Sequence, residues 1–436
     1  LEMIPMTRIF SRREMLRRSA TTGTAAMVLT NGILAPGASP NEKLDLAVIG
    51  LGGRGGANLN GVSGENVVGL CDVDDERAGK AYEKFPKAGK FFDFRIMLDE
   101  IGKQLDAVVI STPDHTHYHP AIMAMEQGLH CYCEKPMAHA VSEVRRMTDL
   151  AREKGLATQL GVQRHTIPNM HRVVELIKGG AIGEIQECHA WVGGDRGMPD
   201  VPRDYPPVPA HLKWDLWLGP AADRPYSPAY APYNWRFWWD FGTGEMGNWG
   251  CHILDIPYWS LDLQYCNQVS ATGPEVDPQR TPKSMSVRYE FPARGDLSPV
   301  VLNWYHTKSG PPILKELGIS LKGANNLFIG SKGMLLCGFS SHVLLPEEKF
   351  ADFKRPEQTI PDSPGFYQEW ISACKGGEAA TCNFDYSGPM AETILLGNAA
   401  FRTGEAFAWN AFELKSPDCT AIDALNFPVY RKGWEI

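Results

Sequence analysis

The chain has no Cys-x-x-Cys pair among its ten cysteines. A zinc ribbon or a thioredoxin-type redox site needs that spacing, so neither is expected, and the scattered thiols read as small buried hydrophobes. Cys131 and Cys133 share one face of an expected strand. Beyond residue 38 there is no apolar run long enough to cross a bilayer, so no stable membrane insertion is expected after it. Internal repeats and low-complexity segments are also missing. So is any basic surplus. The formal charge is −8, and residues 1–38 hold five arginines against Glu2 and Glu14, which leaves −11 on the rest. A nucleic-acid partner needs a basic footprint, and none is expected here.

What is present begins with a basic leader. Ser11-Arg12-Arg13-Glu14-Met15-Leu16 is a twin-arginine pattern, followed by a mildly apolar run from Ala20 to Leu34 and small residues around Ala35–Ser39. This predicts a Tat export signal over residues 1–38 and a periplasmic or otherwise exported protein. Tat substrates cross the membrane folded. Any cofactor an exported enzyme of this kind uses must therefore be taken up in the cytoplasm, held tightly and regenerated in place.

The remaining length suits two domains. Residues 39–162 read as the first. Leu44–Ile49 is a short apolar run ending at Gly50-Leu51-Gly52-Gly53-Arg54-Gly55, a strand feeding a tight turn. In such a turn Gly50 permits the bend, Gly52 lets the backbone approach a pyrophosphate, and Gly55 allows close helix–strand contact. The helix N-terminus that follows favours phosphates. Gly53 and Arg54 complete the cofactor loop. A second strand, Asn66–Asp72, places Asp72 where a carboxylate accepts hydrogen bonds from an adenosine ribose, which favours NAD over NADP. Helices over Asp74–Lys84, His117–Gln127 and Val141–Lys154 alternate with strands over Asp106–Ser111, Leu129–Glu134 and Leu156–Leu160. The pattern predicts a doubly wound parallel sheet with its ligand crevice at the carboxyl ends of the strands. Thr112-Pro113 with His117, and Glu134-Lys135-Pro136, fall at such ends and are expected to face the nicotinamide. The alternating His115, His117 and His119 lack a nearby carboxylate or cysteine set, so no metal is expected.

These residues, with the later Gly250-Cys251-His252-Ile253-Leu254-Asp255, resemble the Gfo/Idh/MocA family, named for glucose–fructose oxidoreductase and inositol dehydrogenase. The resemblance spans residues 42–436, and Arg431–Trp434 is similar to the ending of Tat-exported members. It implies a Rossmann domain followed, over 163–436, by an α+β domain on an open, mainly antiparallel sheet that also serves oligomerisation, hence a homo-oligomer. It further implies a cis Lys135–Pro136 peptide that turns Lys135 toward the nicotinamide.

In the second half, Met170–Lys178 reads as an amphipathic helix and Glu184–Val192 as a strand. The stretch from Gly193 to Phe241 is rich in Pro and Trp. Trp235 and Trp239 are candidates to stack on a sugar, although such rings equally suit a small core under a long loop. From Glu245 a helix would put Asn248, His252 and Asp255 at i, i+4 and i+7 on one face. His252 is the candidate acid or base on a substrate hydroxyl, Lys135 shares its proton or polarises the forming carbonyl, and Asn248 and Asp255 complete the catalytic set. Asn248 stands where the family's dehydrogenases usually have Asp; it cannot act as a base but can hydrogen-bond a hydroxyl. Trp304 and His306 fall on one face of a further strand, and Thr393–Thr403 reads as a C-terminal helix.

Three functions compete. The first is an oxidoreductase moving hydride between bound NAD and a hydroxyl of a sugar, glycoside or polyol. The second is an NAD-dependent glycosidase that oxidises C3 transiently, eliminates the aglycone and returns the hydride. The third is a non-catalytic sugar-binding protein on the same scaffold.

Overall fold

Asp45–Ile49 forms β1, and its burial leaves only the first residue partly exposed. A strand so uniformly buried is covered on both faces, as in parallel α/β sheets. The computed structural model describes residues 42–321 and 323–436. The Tat leader expected over residues 1–38 lies outside the described residues.

Five more strands join β1: β2 (Asn66–Cys71), β3 (Gly89–Phe91), β4 (Ala107–Ile110), β5 (His130–Cys133) and β6 (Thr158–Leu160). All pair in parallel, in the order β3-β2-β1-β4-β5-β6. The connecting helices are α1 (Arg54–Gly61), α2 (Asp75–Lys84), α3 (Phe94–Ile101), α4 (Tyr118–Glu126) and α5 (Val141–Lys154). Each end has a local cause. Asp74 caps α2 by accepting from Arg77 N, and Glu143 accepts the N–H groups of His139 and Ala140 ahead of α5. The expected alternation holds throughout. The three-residue β3 and the adjoining α3 have no counterpart in the sequence reading, because Gly89-Lys90-Phe91 is too short to show a period.

After α6 (Pro168–Lys178), an eight-stranded sheet follows. Its strands are β7 (Ile185–Val192), β8 (Gln268–Thr272), β9 (Met285–Phe291), β10 (Val300–His306), β11 (Asn326–Gly330), β12 (Gly333–Cys337), β13 (His342–Leu345) and β14 (Phe407–Ala408). The order is β13-β12-β11-β7-β10-β9-β8-β14, antiparallel except for the β7–β10 pair. Along β9 buried and less buried residues alternate, so one face meets the core and the other is open. Trp304 and His306 point into the core.

The helix expected at Thr393–Thr403 runs over Phe384–Thr403. Gly388 and Pro389 read as breakers in sequence, but nearly every side chain from Phe384 to Phe401 is buried, and burial overrides propensity. This segment returns to the first sheet. Leu160 N donates to Cys382 O, and Gln159 Nε2 donates to Phe366 O. The nucleotide half thus receives structure from both sides of residue 162. All ten cysteines are free and buried. Among the described residues no helix is long and apolar enough to cross a membrane, and no cluster of His, Cys, Asp or Glu could hold a metal ion.

Candidate active site

The carboxyl ends of β1, β2, β4, β5 and β6 open into one cleft of about 920 Å³, roofed by the Trp-rich segment and the residues around His252. That is the upper end of the range for cofactor sites, about 300–1,000 Å³.

At the end of β1, Gly50 adopts a φ of 84° and donates its N–H to Cys71 O. A Cβ on Gly55 would sit 1.9 Å from Gly50 O, so only glycine lets α1 start this close to the strand. Gly55 therefore lies beneath the turn, while Gly50, Gly52, Gly53 and Arg54 line the cleft. Asp72 lines it too. Its carboxylate accepts from Leu51 N at 2.7 Å and Asp74 N at 3.0 Å, which locks the turn to the end of β2. Burial pushes the Asp72 carboxyl above its ordinary range, against the pull of those two N–H groups. Open lone pairs remain on both oxygens for a ribose. These residues fit a dinucleotide: a glycine cradle without side chains, backbone N–H groups at a helix start, and a carboxylate one strand away.

At the end of β5 the Lys135–Pro136 peptide is cis. Glu134 is buried, with Oε1 accepting from Gln163 Nε2 at 2.6 Å and Asn58 Nδ2 at 3.0 Å. Lys135 Nζ donates to Asn248 O at 2.9 Å and lies 3.4 Å from its Oδ1. Asn248 Nδ2 in turn donates to Glu245 Oε1 at 3.2 Å, and buried Glu245 pairs with Arg196 at 2.7 Å. His252 lines the same cleft. Its Nδ1 has no hydrogen-bond partner among the described residues. Burial first, then the charges of Lys135, Arg164 and Arg54, push its pKa well below the usual histidine range. The imidazole is therefore held neutral, with its Nδ1 open toward a hydrogen-bonding ligand.

Thr112, Pro113, Glu134, Lys135, Asn248, His252 and Trp235 all border the cleft, as the sequence predicts. Three expected residues do not. Asp255 is wholly buried; its carboxylate takes His165 Nδ1 at 2.9 Å and Tyr386 Oη at 2.6 Å. The α-helical face expected from Glu245 is broken by a π-turn over Met246–Gly250. The wider turn changes the angular spacing and carries Asp255 off the face of Asn248 and His252. His117 is also buried, its ring wedged between Pro136 O at 2.7 Å and Thr112 O at 2.8 Å. It ties together two loops that border the cleft without facing a cofactor. Trp239 packs into the main core and donates to Asp277 O at 3.1 Å.

The other two histidines of the alternating run are also ties. His115 bridges Phe241 O and Trp217 O, and His119 meets Trp434 O at 2.8 Å. Most of the Trp-rich rings build a separate small core around Trp214, Trp217, Trp238 and Phe241. The cleft residues missed in the sequence include four cations, Arg77, Arg164, Arg196 and Arg236. Gln163 and Arg164 follow β6 at its carboxyl end, so the strand-end rule could have found them. Arg196 lies in irregular chain and Arg236 in a single 3-10 turn over Asn234–Phe237, neither with a local signal.

Two family models match this chain. Residues 44–162 match the oxidoreductase family model described as an NAD-binding Rossmann fold, and residues 187–293 match its C-terminal alpha/beta domain. A levoglucosan dehydrogenase of Pseudarthrobacter phenanthrenivorans is 30% identical over 188 residues, 43% of this chain and 40% of that protein. A glycosyl hydrolase family 109 protein of Solibacter usitatus is 28% identical over 204 residues, 40% of this chain and 44% of that protein. The matched stretch thus spans less than half of either relative. Among solved structures, the WlbA dehydrogenase of Bordetella pertussis in complex with NADH and UDP-GlcNAcA superposes with a TM-score of 0.61 at 16% identity, covering 85% of this chain and 99% of that one. The six-stranded parallel sheet with its glycine turn, the cis Lys–Pro corner and the two matched models together place the chain in the Gfo/Idh/MocA oxidoreductase family.

Proposed function

We propose that the protein is an exported enzyme that transfers hydride between a retained NAD and a hydroxyl of a sugar, glycoside or polyol. The observation that carries this reading is the convergence of Lys135, Asn248 and a neutral His252 on the cleft that begins at the glycine turn. The nicotinamide, when bound, supplies the hydride acceptor. The chain supplies the proton handling. A substrate hydroxyl placed between Lys135 and His252 gives its proton to the imidazole, while the Lys135 ammonium stabilises charge on the forming carbonyl oxygen. Asn248 holds the ammonium by its backbone and side-chain oxygens and leaves the base role to His252. Names among the similar proteins, a levoglucosan dehydrogenase among them, support a carbohydrate substrate. The twin-arginine leader supports export, and the part-apolar outer face of the second sheet, with Tyr305, Ile329, Met334 and Leu336 half-buried on it, supports assembly with further copies.

The similarity to a glycosyl hydrolase family 109 protein supports a second reading, hydrolysis through transient oxidation with no net redox. Product mass spectrometry in D₂O separates the two. As-purified protein is incubated with a panel of glycosides and no added cofactor. A product two hydrogens lighter with its aglycone intact is expected for the dehydrogenase. A free sugar carrying deuterium at C2 would replace it with the hydrolase. Binding of sugars with neither product would leave only the binding protein.

A further inference from the structure

The Trp-rich segment between β7 and the residues around His252 (193–241) does not belong to either sheet, yet it is fastened across the nucleotide half at three points. The first is the stretch just after Asp72. Lys213 N donates to Val73 O at 2.8 Å and Asp75 N donates to His211 O at 3.1 Å, an isolated antiparallel bridge at Asp74 and Leu212. The His211 ring adds a 3.0 Å contact to Asp74 Oδ1. The second is His115, whose ring lies between Trp217 O and Phe241 O. The third is the C-terminal tail. Arg431 bonds Asp215 through Oδ1 and O and donates Nε to Gly219 O at 3.0 Å, and its backbone N–H donates to Pro220 O. Trp434 O then meets His119 in the nucleotide half. The Arg-Lys-Gly-Trp ending is a clip that holds this strap down.

The strap carries Arg236 into the cleft. Its guanidinium stacks on Trp235 at 4.2 Å and donates to Tyr233 O at 3.2 Å, and it makes no ion pair among the described residues. Arg77 lies on the nucleotide side. Its guanidinium atoms stand 2.6–2.9 Å from where a side-chain carbon of residue 52 would begin, directly over the glycine turn, and it too lacks an ion pair there. Burial first pulls down the pKa of Arg236; the Asp114 carboxylate pulls it up, and the charges of Arg196 and Arg77 pull it down again, so the two guanidinia share one field. Two cations that make no ion pair among the described residues, both lining the cleft and one of them over the turn that approaches a pyrophosphate, suit a doubly negative ligand.

We propose that the 193–241 strap closes over the bound dinucleotide and that Arg236 and Arg77 both grip its diphosphate, so that the cofactor leaves only when the strap lifts. The proposal rests on NAD binding and is indifferent to which reaction follows. It explains how an enzyme far from the cytoplasmic nucleotide pool keeps its cofactor through turnover.

The test is nucleotide exchange, which needs no substrate. Full-length protein is loaded with carbon-13-labelled NAD and chased with excess unlabelled NAD, and bound label is followed by mass spectrometry. Arg236→Gln and Arg77→Gln are each expected to speed release at least tenfold. Arg431→Ala, remote from the cleft, is expected to speed it by loosening the strap. Arg236→Lys keeps the charge and recovers slow release. In parallel, affinity for ADP-ribose falls at least tenfold in Arg236→Gln while affinity for adenosine holds. Unchanged release in Arg236→Gln would overturn the proposal. So would an equal loss of adenosine affinity, which would mark a merely structural role.

Discussion

His165 donates from one ring nitrogen to both carboxylate oxygens of Asp255 at 2.9 Å, and solvent reaches neither residue. Tyr386 Oη completes the shell at 2.6 Å, and Trp259 stacks on the His165 ring at 4.2 Å. The motif that ends in Asp255 therefore has two ends with different duties. His252 lines the cleft, and Asp255 anchors the helix that follows it.

Removing one partner of this pair leaves the other buried and uncompensated. Asp255→Ala is expected to lower stability by about 3–5 kcal/mol. Chemical denaturation checks it, and a variant within experimental error of wild type would contradict the anchoring role.

Asn248 stands where family dehydrogenases usually carry Asp, and the structure supplies a reason in Glu245. The Asn248 amide donates to Glu245 Oε1, so an aspartate there would face a buried carboxylate at the same distance. Asn248→Asp is expected to lose about 1–3 kcal/mol of stability or of transition-state binding. Glu245→Gln in the same chain restores most of the loss. A double variant no better than the single one would break this account.

Lys135→Ala removes the ammonium without touching the glycine turn. Cofactor reduction is expected to fall at least a hundredfold, as for loss of one positioned acid or charge stabiliser, about 10²–10³. Nucleotide content after purification stays that of wild type. Absorbance of the released nucleotide together with single-turnover reduction reads both quantities.

Burial depresses several histidines: His115 to about 3, His119 and His306 to about 4, and His252 in the same direction. Their folded pKa values lie below the unfolded value of about 6.5. Below that pH the unfolded chain takes up protons the folded chain refuses, so stability falls as pH drops from about 6.5 toward 4. Each such histidine contributes a slope of up to about 1.4 kcal/mol per pH unit. His306→Gln is expected to flatten the stability–pH curve over that window. For catalysis, a neutral His252 keeps the rate high below pH 6.5, so the acid limb of the rate profile lies under the ordinary histidine value.

Much of the nucleotide half was legible without coordinates. Five of the six parallel strands, the glycine turn, Asp72 and Lys135 follow from runs of apolar residues and from loops at strand ends. Those signals live within a few residues of each other, where backbone sterics and periodic burial act. The Trp-rich strap resisted reading because it has no period, and its rings divide between a local core and the cleft wall only when folded.

Sequence alone determined that this chain builds a dinucleotide-binding sheet and brings a lysine and a histidine to it, since both sit in short motifs whose backbone course is local. Tertiary structure alone decided the rest. It turned Asp255 inward through a π-turn, set Glu245 behind Asn248, and brought Arg77 and Arg236 to one cleft. It also clipped Arg431 to Asp215, 216 residues away in sequence. These are matters of charge meeting charge across long stretches of chain. Such meetings depend on packing that no local pattern encodes.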